Sequence, residues 1–176
     1  WASAETYLNA AAIHPLSAPA RRAIDRYLAY RLEGPGEGRA DFDAAKQAEL
    51  KRRFAELIGA KPTEIAFVQN TSDGENIVVM GMDLPRKGGN VVIDELHFVT
   101  SLYMYKSLEA KGLQLRIVKH RDWRIAPEDV ERAIDRNTRL VSLALVSNVN
   151  GYRHDVKAIA ELVHSRGAYL YADAVQ

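Results

Sequence analysis

The 176-residue sequence contains no cysteine. Disulfides, thiolate metal sites and a cysteine nucleophile are therefore excluded within this stretch, and the composition is compatible with a reducing cytoplasm. An excess of one charge is also lacking, because 24 basic side chains stand against 23 acidic ones for a net charge of +1. Since the basic residues form no arm or stripe, the sequence offers no electrostatic surface for nucleic acid.

Long apolar runs are absent as well. The longest ones, such as residues 140–146, have the length of a strand and not of a membrane span, so no membrane partner is expected. No Walker-type Gly-Lys-Ser/Thr motif occurs, and the glycine-rich segment 34–38 follows an amphipathic helix instead of a strand, which argues against nucleotide binding. The five histidines lack metal-ligand spacing, so no metal site is predicted.

The two ends of the sequence give separate indications, one on location and one on length. It begins at Trp1 without a charged and apolar leader, so no secretory signal is visible and a cytoplasmic location is predicted. It ends at Gln176, directly after the apolar run 168–172, whereas domains seldom end on a buried strand. We therefore expect this sequence to be the front portion of a longer chain.

Apolar periodicity predicts an α/β fold with an all-helical N-terminal segment. Helical patterns cover residues 17–33 and 41–58, after which short apolar runs alternate with helical stretches. The predicted strands are 64–69, 90–94, 113–119, 140–146 and 168–172, and the predicted helices are 72–82, 99–111, 127–136 and 156–166. Such alternation implies a mostly parallel sheet with helices on both faces. We divide the chain into residues 1–60, the helical segment, and residues 61–176, the first part of a larger α/β domain that is incomplete at its C-terminus.

Ligand-binding residues are expected beyond the carboxyl ends of the strands, where helix N-termini converge. Thr71 and Ser72 open a predicted helix and suit a phosphate, although Ser72 and Glu75 also fit a capping box that needs no ligand. Asp173 ends an apolar strand, where its carboxylate can hold a protonated ring nitrogen or cap a turn. The other candidate segments are 97–98 and 147–151, whose His97, Asn148 and Asn150 are also typical of capping and turn positions.

The order of these segments resembles the class V aminotransferase family. The resemblance is carried by residues 7–16 (YLNAAAIHPL), 67–76 (FVQNTSDGEN), 146–151 (VSNVNG) and 171–176 (YADAVQ), and it covers nearly the whole chain. The family comprises pyridoxal-phosphate enzymes of the aspartate-aminotransferase fold, among them cysteine desulfurases, selenocysteine lyases and isopenicillin N epimerase-like proteins. It implies the large domain of the fold-type-I transferases, with residues 1–60 contributing to a small domain and a dimer arm, and a homodimer as the assembly.

The resemblance also implies pyridoxal 5'-phosphate as the cofactor and assigns roles to the strand-end residues. The implied cofactor-binding residues are Thr71, Ser72, His97, Asn148, Asp173 and Gln176. Thr71 and Ser72 would hold the phosphate, and Asn148 and Gln176 would hydrogen-bond near the phenolic oxygen.

Two of these residues are also expected to be catalytic. Asp173 would pair with the protonated pyridine nitrogen, and His97 would stack on the ring, with Phe98 as the alternative. The Schiff-base lysine of the family lies beyond this aspartate, whereas the last lysine here is Lys157. The family's internal aldimine therefore requires a continuation of the chain; a non-catalytic remnant without the lysine is the alternative.

The expected reaction occurs at the Cα of an amino acid substrate, through an external aldimine and a quinonoid. The main hypothesis is an aminotransferase or an epimerase-like enzyme. A C–S or C–Se lyase of the cysteine desulfurase or selenocysteine lyase type is the alternative. Segment 34–40 lacks the Asn/His/Arg/Gly-type loop common in desulfurases, and segment 151–154 (GYRH) departs from their continuation, so both favour the main reading.

Overall fold

The computed structural model of this protein describes residues 6–8, 13–33 and 39–176, with side chains in the last range from residue 43 onward. The chain divides into two compact units, Trp1–Phe67 and Val68–Gln176. The first contains helix α1 (Ala18–Leu32), helix α2 (Arg39–Ile58) and a 3-10 turn at Pro62–Glu64. Ser17 caps α1 by accepting a hydrogen bond from the Ala20 amide, and Gly59, with φ of +70°, follows α2. Both predicted helices of this unit are confirmed.

The second unit alternates helices with parallel strands. Its elements are α3 (Thr71–Met82), α4 (Leu84–Lys87), β1 (Asn90–Asp94), α5 (Val99–Glu109), β2 (Gln114–Val118), α6 (Pro127–Ala133), β3 (Thr138–Ala144), α7 (Val156–Ser165) and β4 (Tyr169–Asp173). The strands form one sheet in the order β2-β1-β3-β4, and every neighbouring pair is parallel. The predicted α/β class with a mostly parallel sheet is confirmed.

Helices cover both faces of this sheet because its strands are apolar on both sides. Val91 and Ile93 of β1 pack with residues of α3 and α5, whereas Val92 packs with residues of α6 and α7. This alternation follows from the two-residue repeat of a strand. Burying each such side chain contributes about 1.5–3 kcal/mol, so the two clusters fix the strand ends from which the candidate site is built.

The strand predicted at residues 64–69 is wrong. Glu64 ends the 3-10 turn, and residues 65–68 have no regular secondary structure and pair with no strand of the described ranges. Phe67 and Val68 are 51% and 48% exposed. A short apolar run forms a strand only where a neighbouring backbone completes its hydrogen bonds, and the described residues supply none here.

The turn into β1 depends on Gly89, and this gives a stability prediction. Gly89 has φ of +101°, and a Cβ there would lie 2.6 Å from the carbonyl oxygen of Asn137 and 2.7 Å from Cγ of Arg139. Gly88, with φ of +72°, has open space around it. We expect Gly89→Ala to lower the free energy of unfolding by about 2–3 kcal/mol, and Gly88→Ala by about 1 kcal/mol, as measured by urea denaturation. Equal losses for the two variants would contradict the steric argument.

Candidate active site

A cavity of about 150 Å³ opens at the carboxyl edge of the sheet, beyond β3 and β4. Four predicted site residues lie in its wall, namely Thr71, Asn148, Asp173 and Gln176. The rest of the wall is apolar and consists of Phe98, Ala144, Val146 and Val175. Ser72 and His97, the other two predicted residues, are not part of the wall. The structure therefore brings together four of the six predicted residues and adds Phe98.

The start of α3 forms one end of the cavity. Asn70 is the N-cap residue, and its Oδ1 accepts a hydrogen bond of 2.9 Å from the Asp73 amide. The capping box expected from Ser72 and Glu75 is therefore wrong, because Asn70 already occupies the cap position. Thr71 is the first residue of the helix, where amide groups have no partner within the helix and favour an anion. Ser72 is turned towards α5, with its hydroxyl 3.1 Å from that of Thr100.

Asp173 is the one acidic side chain in the described cavity wall. It ends β4, is only 8% exposed, and its Oδ1 accepts a hydrogen bond of 3.1 Å from the Val175 amide. The Asp173 carbonyl also accepts a 2.7 Å hydrogen bond from the Leu145 amide, which ties the strand end to the loop after β3. A carboxylate in a largely apolar wall is stabilised by a cationic partner, so this position suits a protonated ligand nitrogen.

The connection between β1 and α5 presents Phe98, and not His97, to the cavity. Phe98 is the N-cap of α5 and is 38% exposed, whereas His97 is 2% exposed. The His97 ring is engaged at both nitrogens: Nδ1 accepts a 2.7 Å hydrogen bond from the Phe98 amide, and Nε2 lies 3.0 Å from Oγ of Ser142. Burial lowers the pKa of His97, against the opposing charges of Glu75 and Asp173. Because the Phe98 amide can only donate, Nδ1 carries no proton, and the ring proton lies on Nε2.

Sequence reasoning missed a buried carboxylate behind the cavity. Glu75 of α3 is 1% exposed, and its two carboxylate oxygens accept hydrogen bonds from the hydroxyls of Ser101 and Ser142. Burial, followed by the charges of Glu75 and Asp173, raises the pKa of Tyr171 to about 12. A signal was present in the sequence, because Glu75 lies one helical turn before the buried Val79, on the apolar face of α3.

Two features are absent from the described ranges, a membrane-spanning helix and a metal-binding cluster. No helix there has both the length and the apolarity that a bilayer crossing needs. No group of three or more His, Cys, Asp or Glu side chains in the same ranges is placed to hold a metal ion.

The sequence and the fold have counterparts among known enzymes. Residues 7–176 match the family described as Aminotransferase class-V, whose members are pyridoxal-phosphate-dependent enzymes. The chain belongs to this family, and pyridoxal phosphate is its cofactor. The resemblance noted in the sequence is confirmed.

Two curated relatives of this chain are named as cysteine desulfurases. The chain is 33% identical to a probable cysteine desulfurase of Methanothermobacter thermautotrophicus, over 97% of this chain and 43% of that protein. It is 32% identical to the cysteine desulfurase IscS of Ectopseudomonas mendocina, over 72% of this chain and 32% of that protein. The chain thus spans less than half the length of these relatives.

Solved structures agree at the level of the fold. A mutant of C-DES with glycine covalently linked to its pyridoxal-phosphate cofactor superposes with a TM-score of 0.87 at 21% identity, over 99% of this chain and 48% of that one. DndA from Streptomyces lividans gives a TM-score of 0.80 at 23% identity, over 96% and 49% of the two chains.

The relatives fit the C–S lyase alternative better than the aminotransferase or epimerase-like reading, for which no specific support is found. The sequence argument against a desulfurase rested on segments 34–40 and 151–154. Residues 34–38 lie outside the described residues. In the second segment, Tyr152 donates a hydrogen bond from its hydroxyl to the Ile125 carbonyl, so this departure is accommodated by packing within the fold.

Proposed function

We propose that this chain forms one side of the cofactor site of a pyridoxal-phosphate-dependent C–S lyase that acts on cysteine, of the cysteine desulfurase kind. The observation that carries the proposal is the 33% identity to a probable cysteine desulfurase over 97% of this chain. The homodimer and the cytoplasmic location stay predictions from the sequence.

The residues of the cavity suit the chemical groups of this cofactor. Thr71 and the first amides of α3 provide an anion-binding end for its phosphate. Phe98 provides an aromatic wall for its ring, and we assign the stacking role to Phe98 in place of His97 because only Phe98 lines the cavity. Asn148 and Gln176 supply amide groups at the same cavity, where they are candidates for the phenolic oxygen.

The chemistry depends on the contacts that these residues make with the cofactor ring. When bound, pyridoxal phosphate accepts the electron pair left by bond cleavage at the substrate Cα. The Asp173 carboxylate holds the proton on the ring nitrogen, because its burial in an apolar wall strengthens the attraction to a cation. Phe98 and the apolar wall exclude water from that ion pair. Residues 174–176 contain no lysine, so no Schiff-base lysine is assigned after Asp173 in this chain.

The proposal is tested on the purified full-length protein with pyridoxal phosphate and L-cysteine in the presence of a thiol reductant. We expect a yellow absorption band that borohydride fixes covalently, and release of alanine and sulfide in equal amounts. A keto acid or a D-amino acid without sulfide would favour the aminotransferase or epimerase-like reading. Absence of the band in a folded protein would mean a non-catalytic remnant.

The assignment of Phe98 gives a separate prediction. Phe98→Leu is expected to weaken pyridoxal-phosphate affinity by roughly 5–10-fold, because an aromatic contact with the ring contributes about 1 kcal/mol beyond the area it buries. Titration of the apoprotein measures this. Tyr103→Leu, an exposed position on the same helix outside the cavity wall, is the control and should bind normally. Normal binding by Phe98→Leu would contradict the assignment.

A further inference from the structure

Glu75 has a buried carboxyl group that the proposed function does not use. Its side chain lies on α3 and its carboxylate is bonded to two other elements of the fold. The hydroxyl of Ser101, on α5, donates to Oε2 at 2.5 Å, and the hydroxyl of Ser142, on β3, donates to Oε1 at 2.7 Å. One carboxylate therefore joins α3, α5 and the sheet.

These hydrogen bonds continue to the cavity wall in a fixed direction. The Phe98 amide donates to Nδ1 of His97, so the neutral ring has its proton on Nε2. Nε2 therefore donates to Oγ of Ser142 across 3.0 Å, and the Ser142 hydroxyl donates to Glu75. The series ends at Glu75, which is the acceptor of the Ser142 hydroxyl.

Residues at both ends of the cavity lie close in sequence to members of this hydrogen-bonded series. Thr71, at the phosphate end, lies one helical turn before Glu75 on α3. Phe98, at the ring wall, lies directly before α5 and three residues before Ser101. The contact between the hydroxyls of Ser72 and Thr100 is a second link between the same two helices.

We propose that Glu75 is a positioning residue of the cofactor site, whose carboxylate fixes the distance between Thr71 and Phe98 by holding α3, α5 and the His97 turn to one another. This inference rests on the proposed function only in that the cavity binds pyridoxal phosphate. Hydrogen bonds to a buried charged acceptor are stronger than neutral ones, and their loss leaves buried hydroxyls and the imidazole unsatisfied. The cavity then loses its preformed geometry, and cofactor binding has to restore it.

The test compares cofactor affinity with stability in the full-length protein. Glu75→Gln keeps the shape and removes the charge, and Ser142→Ala breaks the link to His97 while leaving the Ser101 contact. We expect each to weaken pyridoxal-phosphate affinity roughly 10-fold in titrations of the apoprotein. Because both changes interrupt one series, the double variant should bind about as weakly as Glu75→Gln alone and not 100-fold more weakly than wild type.

Asp129→Asn is the matched control. Asp129 is also a buried carboxylate, held on α6 by Arg121 and Arg132, but it does not line the cavity. Its replacement should lower the melting temperature of the apoprotein without changing cofactor affinity. If Asp129→Asn weakens affinity as much as Glu75→Gln, or if Glu75→Gln and Ser142→Ala bind normally, the proposal is overturned.

Two further outcomes are separable. If Glu75→Gln does not fold, the pyridoxal-phosphate affinity of Ser142→Ala alone tests the proposal. A loss of affinity is expected for that variant on the same grounds. A wild-type protein that binds pyridoxal phosphate but releases no sulfide from cysteine would remove the proposed lyase activity and leave the Glu75 comparison valid.

Discussion

Asp173→Asn is expected to lower kcat for cysteine turnover by roughly 10²–10³-fold, the usual size of the loss when one preorganised electrostatic group is removed. The variant keeps an oxygen that can accept from the Val175 amide, as Oδ1 does at 3.1 Å, so the end of β4 should fold normally. What it loses is the negative charge that holds a proton on the ring nitrogen. Steady-state kinetics and a cofactor titration measure the two effects separately, and the titration should change much less than kcat.

Asp94→Asn provides an unusually close control for this variant. Asp94 also ends a parallel strand, β1, and its Oδ1 also accepts from the amide two residues further on, that of Leu96, at 2.8 Å. It is buried as Asp173 is, but it is not part of the cavity wall. Its replacement should leave kcat near the wild-type value. Full activity in Asp173→Asn would refute the role assigned to that carboxylate.

The parts of this fold that could be predicted from the sequence are those fixed by neighbouring residues. The strand at 90–94 was predicted with the observed bounds because glycines precede it and its apolar run is short and β-branched. Pro127 was predicted in a first helical turn and begins α6. Asp173 was predicted at a strand end because an apolar run stops directly before it.

The parts that could not be predicted depend on residues far apart in the sequence. The position of the His97 ring outside the cavity wall involves a contact with Ser142, which is 45 residues away in the sequence. Glu75 fits a capping box by its local spacing, but its acceptors are satisfied by Ser101 and Ser142, which are 26 and 67 residues away. No periodicity encodes such contacts, because they follow from which helix packs on which strand.

A second large effect is expected in the pH dependence of stability, and it again concerns Asp94. The side chain is 2% exposed, and its Oδ2 has no hydrogen-bond partner among the described residues. Burial raises the pKa of Asp94 to about 7 in the folded protein, from an ordinary value of 3.8. Between about pH 4 and pH 7 the folded protein therefore holds a proton that the unfolded chain has released.

The sign of the effect follows from that proton. The free energy of unfolding contributed by Asp94 falls as the pH rises from 4 to 7, by up to ~1.4 kcal/mol per pH unit, and does not fall further above pH 7. The Asp94→Asn variant has no titrating group at this position. Its free energy of unfolding should therefore lack this pH dependence. Urea denaturation of both proteins from pH 5 to pH 8 should change their difference by about 3 kcal/mol in favour of the variant.

The comparison also separates the effect of Asp94 from that of another buried titratable group, His154. Burial lowers the pKa of His154 to about 4, so the stability that depends on neutral His154 is present above its ordinary pKa of 6.5 and is lost as the pH falls below it. That loss is common to wild type and Asp94→Asn and cancels in their difference. Parallel stability curves for the two proteins would show that Asp94 is already charged in the fold at pH 5. In that case burial would not have raised the pKa of Asp94 in the fold.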